Sequence, residues 1–459
     1  MLEAEQYHTG EPEITGATAR EIAASAETAI REGALDAGDT LPTVRALAKR
    51  LGKSPATVNS AYRILRQRGL ATADGRRGTR VAPRPALRAP TAARRQSHPQ
   101  PPAPGQPERR DLAAGLADSA LLPAIGPAIA RIDFDARLRG SGSEAVDALM
   151  LEAATRSFAS DGIATDAVTV VSGALDGVER VLQAHLRPGD HVVVEDPCYP
   201  PIRDILLALG LVAVPVAVDD RGLIPEALDA GLGRGVEAVV AVPRAQNPLG
   251  AAVDPARGHE LRSLLERHPG VLLVEDDHAS VVAGAPYASM IAPGWPRWAV
   301  IRAMSKILNP DLRLAIIAGD ETTVARVEGR QALGPRWVSH ILQATTAQLL
   351  QNPEFDAVCA RARAAYAARR GALIAALQER GVAAHGGSGL NVWVPVTEEA
   401  PVVRGLLDAG WLVMSGERFR FRAAPGIRVT TATLQEHEAP TVAEVIAAAE
   451  HAARPRCAY

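Results

Sequence analysis

The chain has 459 residues, 47% hydrophobic but only 3% aromatic, with 50 Lys and Arg against 52 Asp and Glu. That length suits more than one domain, and the scarcity of aromatics leaves Ala, Val, Leu and Ile to fill the core. Three cysteines give no disulfide framework and fit a reducing cytoplasm, and no apolar run reaches the ~20 residues needed to cross a bilayer, so no membrane partner is expected.

The near-zero net charge conceals a polar distribution. Residues 40–80 carry ten Lys or Arg and one acid, Asp74, while the first 39 residues and those after residue 110 are acidic in balance. A basic module on an otherwise acidic chain points to nucleic acid. The N-terminus, MLEAEQYHTGEPE, is too acidic and polar for a signal peptide.

In chain order, residues 14–33 predict a first helix, with Ile22, Ala26 and Ile30 on one stripe and Gly33 at its end. After a turn at 36–39, Pro42 is expected to open a second helix at its first position, and Gly52 to stop it. Ser54 can cap a third helix with Pro55 at its start, running to Gly69. LATADGRRGTRVA then predicts two short strands around a glycine-containing turn. Three helices and a two-stranded wing make a winged helix-turn-helix over residues 14–81.

The third helix is the candidate recognition helix. Its first residues, Ser54, Ala56, Thr57 and Asn59, are expected to face base edges, with Arg45 reaching the DNA backbone or a groove edge. Arg76 and Arg77, beside Gly78, form a narrow wing tip suited to a minor groove. Ser54 and Thr57 equally suit helix capping. Val58, Ala61, Tyr62, Leu65 and Leu70 read as core.

Residues 82–110 are a linker. Eight prolines lie between Pro83 and Pro107, with Arg84, Arg88, Arg94, Arg95, Arg109 and Arg110 in or beside them. Such a segment buries too little apolar surface to fold, and proline keeps it extended.

Beyond residue 110, apolar runs of strand length (VTVVSG, HVVVEDP, AVVAVP, VLLVEDD, WAVIRAM, LAIIAGD) alternate with helical segments. Buried strands separated by helices predict a mostly parallel sheet covered on both faces. From about residue 355 a long Ala/Arg-rich helix and two further strands, LNVWVPV and IRVTTATL, predict a smaller α+β subdomain.

Within this second part, SKILNPDLRLA places Lys306 between two strands and Arg313 on the same loop. That pairing suits an aldehyde cofactor carrying a phosphate: the amine forms a Schiff base and the guanidinium grips phosphate oxygens. Upstream, Gly173 and Ala174 end a strand and open a helix whose N-terminus can receive a phosphate. Asn247 stands before a proline at a strand end, and Asp276 ends a buried strand among three acids. Arg428, on an apolar strand, requires an anion.

Two resemblances gather these residues. LPTVRALAKRLGKSPATVNSAYRILRQRGL followed by GRRGTRV resembles the GntR family of bacterial regulators, which implies dimeric binding to paired half-sites on double-stranded DNA. The remainder resembles fold-type I aminotransferases dependent on pyridoxal 5′-phosphate, and the combination is the signature of the MocR subfamily. The resemblance implies Lys306 as the Schiff-base lysine, Arg313, Gly173 and Ala174 at the phosphate, and Asp276 at the pyridine nitrogen. It implies Asn247 at the ring oxygen and Arg428 at the carboxylate of an amino-acid ligand. Tyr199 takes the place of an aromatic that stacks on the ring, with loop packing as the open alternative. His278 stands where most of the family has tyrosine, and its charge is expected to vary near neutral pH. Ala303 replaces a phosphate-binding hydroxyl, and Arg139 stands where many relatives have a tyrosine that reaches the neighbouring subunit.

The expected function is a DNA-binding homodimeric regulator that senses an amine, an amino acid or the cofactor itself. The alternative is a working pyridoxal-phosphate aminotransferase that carries a DNA module. No metal site is expected.

Overall fold

The computed structural model describes residues 14–31, 34–36, 38–67, 70–73, 78–81, 109–133, 135, 144–164 and 167–453. Nearly all of the expected linker, together with Arg76, Arg77 and Arg139, lies outside the described residues. The chain divides into two units, an N-terminal head and a larger body.

The head contains helices α1 (Ala19–Arg31), α2 (Val44–Leu51) and α3 (Pro55–Gln67), then strands β1 (Ala71–Ala73) and β2 (Thr79–Val81), paired antiparallel. Its core is aliphatic, as the composition requires: Ile22, Ala26, Leu47, Val58, Ala61 and Leu65 are all fully buried. Pro42 does not open α2 as expected. Thr43 is the N-cap, its hydroxyl accepting from Ala46 N at 3.2 Å, because the capping oxygen supplies what proline lacks. Pro42 lies just outside, where its carbonyl accepts from the Tyr62 hydroxyl at 2.6 Å. Gly52 ends α2 at φ 63°, a left-handed conformation that favours glycine.

The body is built on an eight-stranded sheet ordered β4-β11-β10-β9-β8-β5-β6-β7. The strands are β4 (Ala167–Val171), β5 (His191–Asp196), β6 (Val212–Asp219), β7 (Gly222–Leu223), β8 (Ala238–Ala241), β9 (Leu272–Asp277), β10 (Trp298–Ala303) and β11 (Ala315–Gly319). Strands β5, β8, β9 and β10 run parallel, and β11 runs antiparallel to both of its neighbours. Alternate residues of β10 face opposite sides. Val300 joins a core with Phe158 of α4 (Ala148–Ala159), while Ile301 lies beneath Gly177 of α5 (Ala174–His185). A side chain at Gly177 would begin 3.0 Å from Ile301, so the glycine lets helix and sheet approach closely.

The smaller subdomain is a three-stranded sheet, β12 (Asn391–Pro395), β15 (Gly426–Thr430) and β14 (Met414–Ser415), backed by the long helix Phe355–Gln378. A further pair joins β3 (Arg110–Asp111) in parallel to β13 (Trp411–Leu412). This pair and the β6–β7 hairpin were not legible as strands in the sequence. No helix among the described residues is long and apolar enough to cross a membrane.

Candidate functional site

Chain turns at the C-terminal ends of β4, β5, β8, β9 and β10 converge, the place where open α/β sheets bind ligands. They form a cavity of about 200 Å³ with β15 on its far wall. Gly173, Ala174, Tyr199, Asn247, Asp276, His278, Lys306, Arg313 and Arg428 all line it. Every body residue singled out for the cofactor or its ligand is therefore in one place.

At one end lies an anion cradle. Gly173, at φ 103°, is the N-cap of α5, and Ala174 is its first residue. Arg313 brings its guanidinium to 3.5 Å from where a Gly173 side chain would begin. Free helix N–H groups and a guanidinium at one point suit a phosphate. Arg313 itself holds a left-handed φ of 45°, an uncommon conformation for a residue with a side chain. Ala303 and Ser305 also line this cavity.

Asp276 and Lys306 bring a carboxyl and an amine to the same cavity. Asp276 is 4% exposed, and its Oδ1 has no hydrogen-bond partner. Burial, aided by the neighbouring Asp277 carboxylate, pushes its pKa up to about 7. Lys306 donates from Nζ to the Gly115 carbonyl at 2.5 Å. Burial and the nearby Arg428 charge lower its pKa to about 8, close to where an amine becomes nucleophilic at working pH.

His278 differs from expectation. Burial, with Lys306 close by, lowers its pKa to about 4, so the ring is neutral at neutral pH rather than poised to titrate there. Arg428 donates from Nη1 to Asn247 Oδ1 at 3.2 Å and from Nη2 to the Ala113 carbonyl, and its Nε has no partner. Among the described residues no carboxylate pairs with it. Tyr199 packs against Leu249, Trp393 and Phe419, so it is held partly by loop packing while still lining the cavity.

Beneath the site, Asp277 receives Arg244 at 2.8 Å and Arg302 at 2.9 Å, and both arginines also reach Asp161. Arg302 is fully buried. This lattice fixes the end of β9 and thus Asp276 and His278 beside it. Neither Arg302 nor Asp161 stood out in the sequence, because nothing in their spacing signals a partner so distant along the chain.

In the head, Arg45, Ser54, Ala56, Asn59 and Gly78 are exposed. Ser54 Oγ accepts from Thr57 N at 3.1 Å and lies 2.8 Å from Thr57 Oγ1, so the Ser54 hydroxyl caps the start of α3 and the Thr57 hydroxyl pairs with it.

Comparison with known proteins follows the same division. The model for bacterial regulatory proteins of the gntR family matches residues 18–81, and that for aminotransferase class I and II matches residues 111–446. Over 433 residues the chain is 38% identical to the vitamin B6 salvage pathway transcriptional repressor PtsJ of Salmonella typhimurium, covering 94% of this chain and 98% of that one. The chain belongs to the MocR-type GntR regulators. A MocR-type regulator is a DNA-binding transcription factor with an aminotransferase-like domain, and this chain has both parts. It is also 30% identical over 295 residues to the pyridoxine biosynthesis transcriptional regulator PdxR of Corynebacterium glutamicum, covering 62% of each. The MocR-type body has the fold of the kynurenine aminotransferase of Pyrococcus horikoshii, with a TM-score of 0.70 at 21% identity over 76% of this chain and 92% of that one.

Proposed function

We propose that this regulator holds pyridoxal 5′-phosphate in the Lys306 cavity and reports the supply of that cofactor to a DNA operator of paired half-sites, which it grips as a homodimer. The observation that carries this reading is the unpartnered oxygen of Asp276, a buried acceptor facing the same cavity as a lysine amine and an anion cradle. When bound, the cofactor supplies an aldehyde that an amine can capture and a ring that withdraws electrons.

Each residue then has a task. Lys306 attaches the aldehyde carbon. Asp276 accepts from a protonated ring nitrogen and is held ionised by it. The N-terminus of α5 and Arg313 bind the phosphate. With Oδ1 of Asn247 taken by Arg428, its amide N–H groups remain to donate to the ring oxygen. The printed names of the two relatives, one in vitamin B6 salvage and one in pyridoxine biosynthesis, support cofactor supply as the signal. In the head, the exposed residues at the start of α3 and Arg45 support a DNA-reading face.

A second reading, an amino-acid effector, is favoured by Arg428: a buried guanidinium with a free Nε and no carboxylate partner among the described residues suits an incoming carboxylate.

Absorbance of the purified protein with pyridoxal phosphate, beside Lys306→Ala, tests the proposal. A band in the wild type and none in the variant supports it, and no band in either overturns it. Adding amino acids separates the readings. A reversible band shift without keto acid indicates an effector, keto acid with turnover indicates an enzyme, and an unchanged band leaves the cofactor as the signal.

A further inference from the structure

Two of the cavity's cations, Lys306 and Arg428, bond to one segment of backbone. Lys306 Nζ donates to the carbonyl of Gly115, and Arg428 Nη2 to the carbonyl of Ala113. Both carbonyls belong to one short crossing segment, residues 113–117. On one side this strap is pinned by Leu112, fully buried, whose N–H donates to Leu412 O at 2.8 Å and whose carbonyl accepts from Thr430 N at 2.8 Å. On the other side Asp118 is held by the Tyr366 hydroxyl at 3.1 Å and by Arg369 at 2.9 Å. Between these anchors, Asp111 Oδ1 accepts from Ala113 N at 2.8 Å and Ala114 N at 3.0 Å, shaping the turn. Gly115 lies at φ 64°, and a side chain there would begin 3.4 Å from the Arg428 guanidinium. The strap is therefore laid across the two groups that a ligand must use.

We propose that residues 113–117 form a latch: the strap is held down by Lys306 and Arg428, and capture of an aldehyde by Lys306 takes away one of these two ties and loosens it. This rests on the cofactor reading above and adds how occupancy of the site is converted into a change in the chain. Lys306 first loses a proton, and its amine then adds to the aldehyde carbon. A C=N bond forms, the aldehyde oxygen departs as water, and two N–H bonds of the amine are consumed. The nitrogen, now bonded to the aldehyde carbon, cannot keep its place on Gly115 O, and only the Arg428 tie remains. A ligand carboxylate on Arg428 would remove that one as well. The strap is also the covalent route toward the head, because β3 directly precedes it and the linker precedes β3.

Hydrogen exchange on the full-length protein reads the strap through the Ala113 and Ala114 amides, whose bonds to Asp111 open as the strap lifts, with absorbance recorded on the same samples. In the ligand-free wild type, the Ala113 and Ala114 amides exchange slowly. Pyridoxal phosphate accelerates them roughly tenfold. Pyridoxine 5′-phosphate, which has the phosphate but no aldehyde, leaves them slow. Lys306→Ala, lacking the donor, exchanges fast with or without pyridoxal phosphate. A wild type that develops the absorbance band while these amides stay slow overturns the latch and leaves the cofactor reading intact. So does a ligand-free Lys306→Ala variant as slow as the wild type. Absence of any band overturns both.

Discussion

His278 Nε2 lies 2.8 Å from the carbonyl oxygen of Ala245. A carbonyl oxygen only accepts, so Nε2 carries the proton and Nδ1 is left as an acceptor in the neutral ring. At a position where the family usually has a phenol donor, this protein therefore has a neutral imidazole whose remaining nitrogen only accepts.

The same geometry fixes a pH dependence. Folded His278 stays neutral down to about pH 4, whereas the unfolded chain takes up a proton near the usual imidazole value of about 6.5. Between these limits the unfolded state binds more protons. The stability this group contributes is complete above the unfolded value and is lost as pH falls through the folded one. Glu195 and Asp276, with raised pKa values, titrate in the opposite sense, so wild type must be compared with His278→Gln. Between pH 7 and pH 4.5, wild type should lose about 2 kcal/mol more than the variant in urea unfolding. Parallel pH curves would refute the assignment.

Lys306 titrates at about 8, so its amine is mostly protonated at pH 6. Capture of pyridoxal phosphate, followed as growth of absorbance under excess cofactor, should slow roughly tenfold per pH unit below that value and level off above it. A rate independent of pH from 6 to 9 would place another step in control.

Asp277 is shared by two buried arginines. Among the described residues, Asp277→Asn leaves Arg244 and Arg302 with Asp161 as their one acidic partner, and it should cost about 3–5 kcal/mol in urea unfolding. Replacing both Asp277 and Arg302 with apolar residues of similar volume should cost less than Asp277→Asn alone, because no uncompensated buried charge of that pair remains.

Arg45 is exposed on α2. If it meets a phosphate, Arg45→Ala should weaken binding uniformly across DNA sequences and reduce the salt dependence of log K by about one unit of slope. A loss confined to particular base pairs would instead mark a base contact.

The residues that line the cavity were legible in the sequence because they come in local groups. Lys306 and Arg313 share one loop, Gly173 and Ala174 open one helix, and Asp276 ends an apolar strand whose burial could be anticipated. What escaped notice depends on contacts distant in the chain. The Gly115 carbonyl meets Lys306 across 191 positions, and Arg302 meets Asp161 across 141. Backbone carbonyls carry no sequence signature, so the strap could not be read from DLAAGLAD. The start of α2 was misjudged for a different reason. Both Pro42 and Thr43 fit a helix start, and only the backbone shows that the hydroxyl took the cap.

The pairing of β3 with β13 sets Arg110 over the ring of Trp411, 5.9 Å from its centroid. All five tryptophans of the chain lie beyond residue 290, and the head has none. Tryptophan emission therefore belongs wholly to the body, and one of its sources stands where the chain emerges from the linker. The molecule carries its own optical probe of that junction, sensitive to what happens there and blind to the DNA-reading end.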